Sequence, residues 1–268
     1  MNSSEIINLD SIIKLHAKEN PSKTALIFVD IDKNIEETVT YHELDILISK
    51  TCNYLKDINY KKNDKLLIHI PNSIPFVILL LASFRMGIVA VTTNPNLTIR
   101  ELNYQFKQSG SKNIISIQSN QNNNTSSSNV ILNDNTLPDF MNLINKFDNK
   151  FAPENVNLTD EATILFTSGT TNLPKGVIST HSNYINKIKS VSSILRLNSD
   201  DRHYLTLPLF HTNGQYSLLA VLLKGGSAVI CSRFSASNYF KIAVKYKVTL
   251  STLFASTIRM LLISKKYA

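Results

Sequence analysis

A chain of 268 residues with 43% hydrophobic content is long enough to bury a sizeable core, as one large domain or two small ones. Lys and Arg number 28 against 20 Asp and Glu, a net charge of +8, but the basic residues are dispersed, with only pairs such as Lys61-Lys62 and Lys265-Lys266 and no arginine-rich stripe among aromatics. That pattern argues against a nucleic-acid partner and suits a nucleotide ligand. Cys52 and Cys231 lie far apart, outside any Cys-x-x-Cys pair or Cys/His cluster, so no metal site is expected from them; reduced core residues in a cytoplasmic protein are.

The start, MNSSEIINLDSIIKLH, lacks the basic and continuous apolar regions of a secretory signal, so no export is expected. Its apolar residues Ile6, Ile7, Leu9, Ile12, Ile13 and Leu15 recur at three and four spacing and predict an amphipathic helix ending before Pro21. Ala25 to Val29 reads as a buried strand, Tyr41 to Leu55 as a helix and Lys65 to Ile70 as a second strand. Ile74 to Phe84 is apolar but has the length of a buried helix, with Arg85 and Gly87 ending the run, so no membrane span is expected. Ile88 to Thr92 follows as strand, Asn94-Pro95 as turn, and Ile99 to Ser109 as a helix closed by Gly110.

Gln118 to Asn129, QSNQNNNTSSSN, has nothing apolar to bury and predicts a disordered surface insertion. Beyond it the spacing predicts strands over 163–166, 204–209, 228–231 and 248–253, and helices over 183–195, 218–223 and 235–247. Such alternation implies an α/β fold, parallel-sheet layers with flanking helices, with ligands at the carboxyl ends of the strands.

One of those ends carries Thr167 to Val177, TSGTTNLPKGV. Gly169 lets the backbone approach an oxyanion, Ser168, Thr170 and Thr171 offer hydroxyl donors beside Thr167, and Lys175 offers a compact positive charge, a set suited to phosphates. Gly169 and Lys175 stand at the spacing of a Walker A loop, but Pro174 replaces its second glycine and Gly176 the hydroxyl that would hold Mg²⁺.

The run instead resembles the signature TSGTTGxPKGV of the AMP-binding, adenylate-forming superfamily of acyl-CoA synthetases, coumarate ligases and luciferases. TYHEL at Thr40 to Leu44, LLLASFRMGIVAVTTNPNLTIREL at Leu79 to Leu102, LPLFHTNG, and RFSA at Arg233 to Ala236 resemble further family blocks. The likeness covers nearly all of residues 1–268 except the insertion at 118–129. Asn172 departs from it, standing where glycine is usual; Asn tolerates φ > 0 better than other side chains.

The resemblance implies an incomplete N-terminal domain of the adenylate-forming fold. The implied reaction joins a carboxylic acid to AMP from ATP and passes the acyl group to CoA, with ATP, Mg²⁺ and CoA as cofactors and fatty acid metabolism as one setting. Thr167, Ser168, Gly169, Thr170, Thr171 and Lys175 are the implied nucleotide contacts, Lys175 assisting phosphate binding, and no metal ligand is assigned. His211, with Gly214 in the same run, matches the acid site of CoA-forming members; a hydrogen-bonded structural role is the alternative for His211, while His181 reads as structural. Amino-acid-activating members place an aspartate after this strand, whereas no acidic residue occurs between Leu205 and Ile230. Fatty, aromatic or small dicarboxylic acids are therefore expected. The family's Tyr-Gly-x-Thr-Glu block, ribose Asp and C-terminal lid domain with its lysine are not among these residues. A catalytically inactive N-terminal portion is expected, or alternatively a non-catalytic nucleotide-binding or interaction fragment; its location is expected to be cytoplasmic, with a peroxisomal full-length relative still open.

Overall fold

The computed structural model describes residues 9–117, 129–152, 154–167 and 173–264. In chain order come α1 (Asp10–Glu19), β1 (Thr24–Asp30), β2 (Ile35–Thr40), α2 (Tyr41–Asp57), β3 (Lys65–His69), α3 (Ile74–Met86), β4 (Val89–Thr92), α4 (Ile99–Ser109) and β5 (Asn113–Ile117). Then follow β6 (Asn129–Leu132), α5 (Leu137–Ile144), β7 (Glu161–Thr167), β8 (Lys175–Thr180), α6 (His181–Ile194), β9 (Arg202–Leu205), α7 (Thr212–Leu223), β10 (Ser227–Cys231), α8 (Tyr239–Lys245), β11 (Leu250–Thr252) and α9 (Ala255–Ile263). Residues 118–128 of the expected insertion lie outside the described residues.

Two of the family-like runs have a local physical reason. In TYHEL, Thr40 caps α2: its side chain accepts from the Glu43 amide while the Glu43 carboxylate accepts from the Thr40 amide. Thr98 and Glu101 close the same reciprocal box on α4. Each box satisfies backbone donors that the first turn leaves open. At its other end α4 stops as the spacing predicts, Gly110 taking the left-handed conformation at φ 67°.

The strands form two sheets. The first has the order β11-β9-β10-β1-β2 and the second β6-β5-β3-β4-β7-β8. All neighbours are parallel except β1 with β2 and β7 with β8. The expected parallel-sheet layers are present, with an antiparallel strand added at one edge of each sheet. Apolar runs predict buried strands, whereas β2 (IEETVT) is charged and β8 (KGVIST) leaves Val177 and Ile178 49% and 51% exposed. The strand expected over 204–209 ends at Leu205, and the helix expected from Leu218 starts at Thr212. Residues 206–211 are thus a connecting turn at the carboxyl end of β9.

Every residue of α3 is buried. It touches β1 of the first sheet, β3 and β4 of the second, and α1, α2 and α5, so it forms the layer shared by both sheets. A helix apolar on all sides belongs in such a place.

Candidate functional site

β7 and β8 form an antiparallel hairpin in which Thr167 faces Lys175. β7 also runs parallel to β4, pairing Leu165 with Thr92, so the hairpin leaves the second sheet at the carboxyl ends of these strands. Ligands of open α/β sheets gather there. Thr167 and Lys175 are both exposed. Ser168, Gly169, Thr170, Thr171 and Asn172 lie outside the described residues. The pairing brings the two ends of the signature face to face, with Lys175 at the mouth of the loop.

The stem of the hairpin is shaped by Gly176, which sits opposite Phe166. A Cβ there would lie 2.9 Å from Ile164 Cγ2 and 3.5 Å from the Phe166 ring, so the Ile164 side chain, with Phe166 beside it, occupies the space that glycine leaves. On the α4 side, Tyr104 Oη donates to the Pro174 carbonyl at 3.2 Å. A cavity of about 310 Å³, lined by Tyr104, Gln108, Phe166, Pro174, Lys175 and Gly176 among others, separates α4 from the hairpin.

His211 is exposed at the N-cap of α7, its ring 4.5 Å from that of Phe210, and partial burial lowers its pKa from the ordinary imidazole value. The turn before it is tied down from two sides. Asn72 Nδ2 donates to the carbonyls of Leu207 and Cys231, and Asn72 Oδ1 accepts from the Leu209 amide at 2.7 Å. Thr92, the last residue of β4, donates to the Phe210 carbonyl at 3.1 Å. The His211 turn and the β7–β8 hairpin therefore meet the same end of the second sheet.

Gly214 is buried under this turn, where an added Cβ would lie 2.3 Å from the Pro208 carbonyl oxygen and 3.3 Å from Leu209 Cα. These are backbone atoms that cannot swing aside. Gly214→Ala is expected to cost about 1–3 kcal/mol and to lift the start of α7 off the turn. Thermal unfolding of the variant checks this, and an unchanged midpoint would show that the contact is slack.

The other sequence candidates have structural roles. His181 begins α6 in full burial, its ring 5.5 Å from Phe84, and burial holds its pKa down to about 4 against the opposing pull of Asp160. Arg233 of the RFSA run donates through Nε and Nη2 to both carboxylate oxygens of Asp32 at 2.6 Å, joining the end of β10 to the β1–β2 turn. Asn72 and Gln215 lie outside the runs that carry the family resemblance, and Thr92 lies inside one without standing out by residue type.

Among the described residues no group of three or more His, Cys, Asp or Glu is arranged to hold a metal ion. The hairpin fits phosphates, through Lys175 and the Thr167 hydroxyl, but offers no carboxylate set for Mg²⁺. No helix among them is long and apolar enough to cross a membrane.

A family model described as "AMP-binding enzyme" matches residues 13–268. The chain is 28% identical over 245 residues to a 2-succinylbenzoate–CoA ligase of Bacillus licheniformis, covering 90% of this chain and 48% of that relative. Its fold is similar to the inhibitor-bound N-terminal domain of FACL13 from Mycobacterium tuberculosis, at a TM-score of 0.85 and 20% identity, over 98% of this chain and 66% of that one. It is likewise similar to the O-succinylbenzoate coenzyme A synthetase of Bacillus subtilis in complex with AMP, at a TM-score of 0.82 and 26% identity, over 94% of this chain and 50% of that one. The chain spans about half the length of the curated relatives it matches. With a phosphate-suited hairpin at the carboxyl end of a mostly parallel sheet, and a family match that runs through it, the chain belongs to the AMP-binding enzyme family.

Proposed function

We propose that this chain is the N-terminal portion of an AMP-forming acid–thiol ligase. The observation that carries the reading is the Thr167–Lys175 pair at the mouth of the hairpin, facing the end of the sheet against which the His211 turn is fixed. In the proposed first step a carboxylate oxygen of the acid attacks the α-phosphorus of ATP, the bond to the β-phosphate breaks, and pyrophosphate leaves. The ammonium of Lys175 and the Thr167 hydroxyl would hold negative charge on the phosphates; in the second step the thiol of CoA would displace AMP from the acyl carbon. Mg²⁺ supplies charge neutralisation in such reactions, but no residue described here is assigned to it.

A carboxylic acid with an uncharged tail, fatty, aromatic or dicarboxylic, is the proposed substrate class, because no acidic residue between Leu205 and Ile230 is available to pair with an ammonium. A cytoplasmic location goes with this reading, supported by two free, buried cysteines.

A second reading is nucleotide binding without turnover; among the described residues no group of three or more His, Cys, Asp or Glu is arranged to hold a metal ion. Acid-dependent exchange of labelled pyrophosphate into ATP by the purified chain, alongside ATP binding by calorimetry, separates the two. Under both readings Lys175→Ala is expected to weaken ATP binding about 10- to 100-fold, the worth of one charge-assisted contact. Unaltered ATP affinity in Lys175→Ala would remove the phosphate role. Exchange above background that Lys175→Ala abolishes would refute the binding-only reading.

A further inference from the structure

Polar side chains in an apolar core cost stability unless each finds its partners, so a buried chain of them calls for a reason. Thr163, Tyr184, Gln215 and Thr92, with exposures of 0%, 0%, 0% and 3%, form such a chain. Thr163 Oγ1 and Tyr184 Oη are 3.0 Å apart, and Tyr184 Oη donates to Gln215 Oε1 at 2.5 Å. Gln215 Nε2 donates to Thr92 Oγ1 at 3.1 Å and to the Leu209 carbonyl at 2.8 Å. Thr92 Oγ1, having accepted from Gln215, donates to the Phe210 carbonyl at 3.1 Å.

The direction of every hydrogen follows. Because Tyr184 gives its proton to Gln215, it must accept from Thr163. With Nε2 spent on Thr92 and Leu209, the amide of Gln215 is fixed in one orientation; turned over, its oxygen would face the Leu209 carbonyl, acceptor against acceptor. The chain begins on β7, whose last residue opens the phosphate hairpin. It ends on the two carbonyls that precede His211. Asn72 holds the other side of the same turn through Leu207 and Leu209.

We infer that Gln215 is a positioning residue: by fixing the Leu209 and Phe210 carbonyls, directly and through Thr92, it sets the His211 ring relative to the strand that carries the phosphate loop. The inference rests on the proposed function only in placing the acid beside His211. Simple cohesion between α6 and α7 would require nothing beyond the Tyr184–Gln215 bond. The two bonds that leave the helix pair for the turn serve the turn. A turn held this way keeps one shape whether or not acid is bound, a preorganised wall rather than a closing lid.

The test is made on the full chain by backbone amide exchange and by the imidazole Cε1–H resonances in NMR. Gln215→Met keeps the bulk and removes the hydrogen bonds. It is expected to speed exchange across residues 209–213 at least tenfold and to move the His211 resonance, while those of His16 and His42 stay in place. Tyr184→Phe cuts the chain on the far side of Gln215. It is expected to lower the melting temperature but to leave the His211 resonance where it was. Should Gln215→Met fail to fold, Thr92→Val, which removes only the link through Thr92, must give the same local pattern. The inference is overturned if the turn and His211 keep wild-type behaviour in Gln215→Met or, where that variant does not fold, in Thr92→Val. It is overturned equally if Tyr184→Phe disturbs His211 as much as Gln215→Met. These readouts need no turnover, so failure to activate any acid would count against the proposed function and leave the positioning role standing or falling on its own.

Discussion

Arg85→Ala is expected to destabilise the fold by about 3–5 kcal/mol, the cost of breaking a buried ion pair by removing one partner. The guanidinium is fully buried at the end of α3, donates through Nε to Asp10 at 2.5 Å, pairs through Nη2 with Asp45, and donates through Nη1 to Ser49 Oγ at 2.7 Å. Asp10 is itself buried and keeps only Lys14, at 2.9 Å, once the arginine is gone. Arg85→Lys is expected to fall between wild type and Arg85→Ala, since an ammonium cannot serve three acceptors as a planar fork does. Replacing both buried partners, Arg85→Met with Asp10→Leu, should recover much of the loss, because the charges then left unpaired, on Asp45 and Lys14, reach solvent. Urea unfolding of the wild type, Arg85→Met, Asp10→Leu and the double variant checks the claim. Additive losses in the double variant would show that the pair is not coupled.

Acid should unfold the protein well above the range in which carboxylates titrate. Burial holds His69, His181 and His203 down to about 4, against an ordinary value of 6.5, so all three are neutral in the fold. The unfolded chain takes up protons at these rings below pH 6.5 and the folded chain does not. Their stabilising share is therefore intact above pH 6.5 and is lost as the pH falls from there toward 4. The gap corresponds to about 3 kcal/mol per ring, so three rings together rival the whole stability of a typical domain. The urea midpoint is expected to drop steeply between pH 7 and pH 5. His181 offers the sharpest check, since neither of its ring nitrogens has a hydrogen-bond partner among the described residues. His181→Leu strands no partner and should flatten the pH slope. Equal midpoints at pH 7 and pH 5 in the wild type would mean that these rings are protonated inside the fold or are reached by water.

The helices were the most legible part of the fold. α2 announces itself by apolar spacing, α4 by the glycine that closes it, and α3 by a run too short for a bilayer and too apolar for a surface. Edge strands were not legible, because an edge need not bury both faces. β2 carries Glu36 and Glu37, and β8 exposes most of its residues. In the site, Thr167 and Lys175 could be named from the residue types of the TSGTTNLPKGV run and its resemblance to the family signature, and the hairpin pairs the two across its mouth. Asn72, Thr92 and Gln215 could not, since each matters through carbonyls of a turn whose position only the tertiary fold supplies. His181 could be read as structural, but its spacing says nothing of both ring nitrogens lacking a hydrogen-bond partner among the described residues.

The central parallel pair of the first sheet also bears on how the chain folds during synthesis. β1 pairs with β10, Leu26 opposite Ala228, while the whole second sheet, β3 through β8, lies between them in sequence. β3, β4 and β5 can assemble around α3 soon after they are made, but β1, held by its hairpin with β2 and by α2 and α3, lacks its parallel neighbour until β10 emerges. Long-range parallel pairing of this kind is slow, and the apolar strand TALIFVD is the segment that a nascent chain must keep from pairing elsewhere in the meantime.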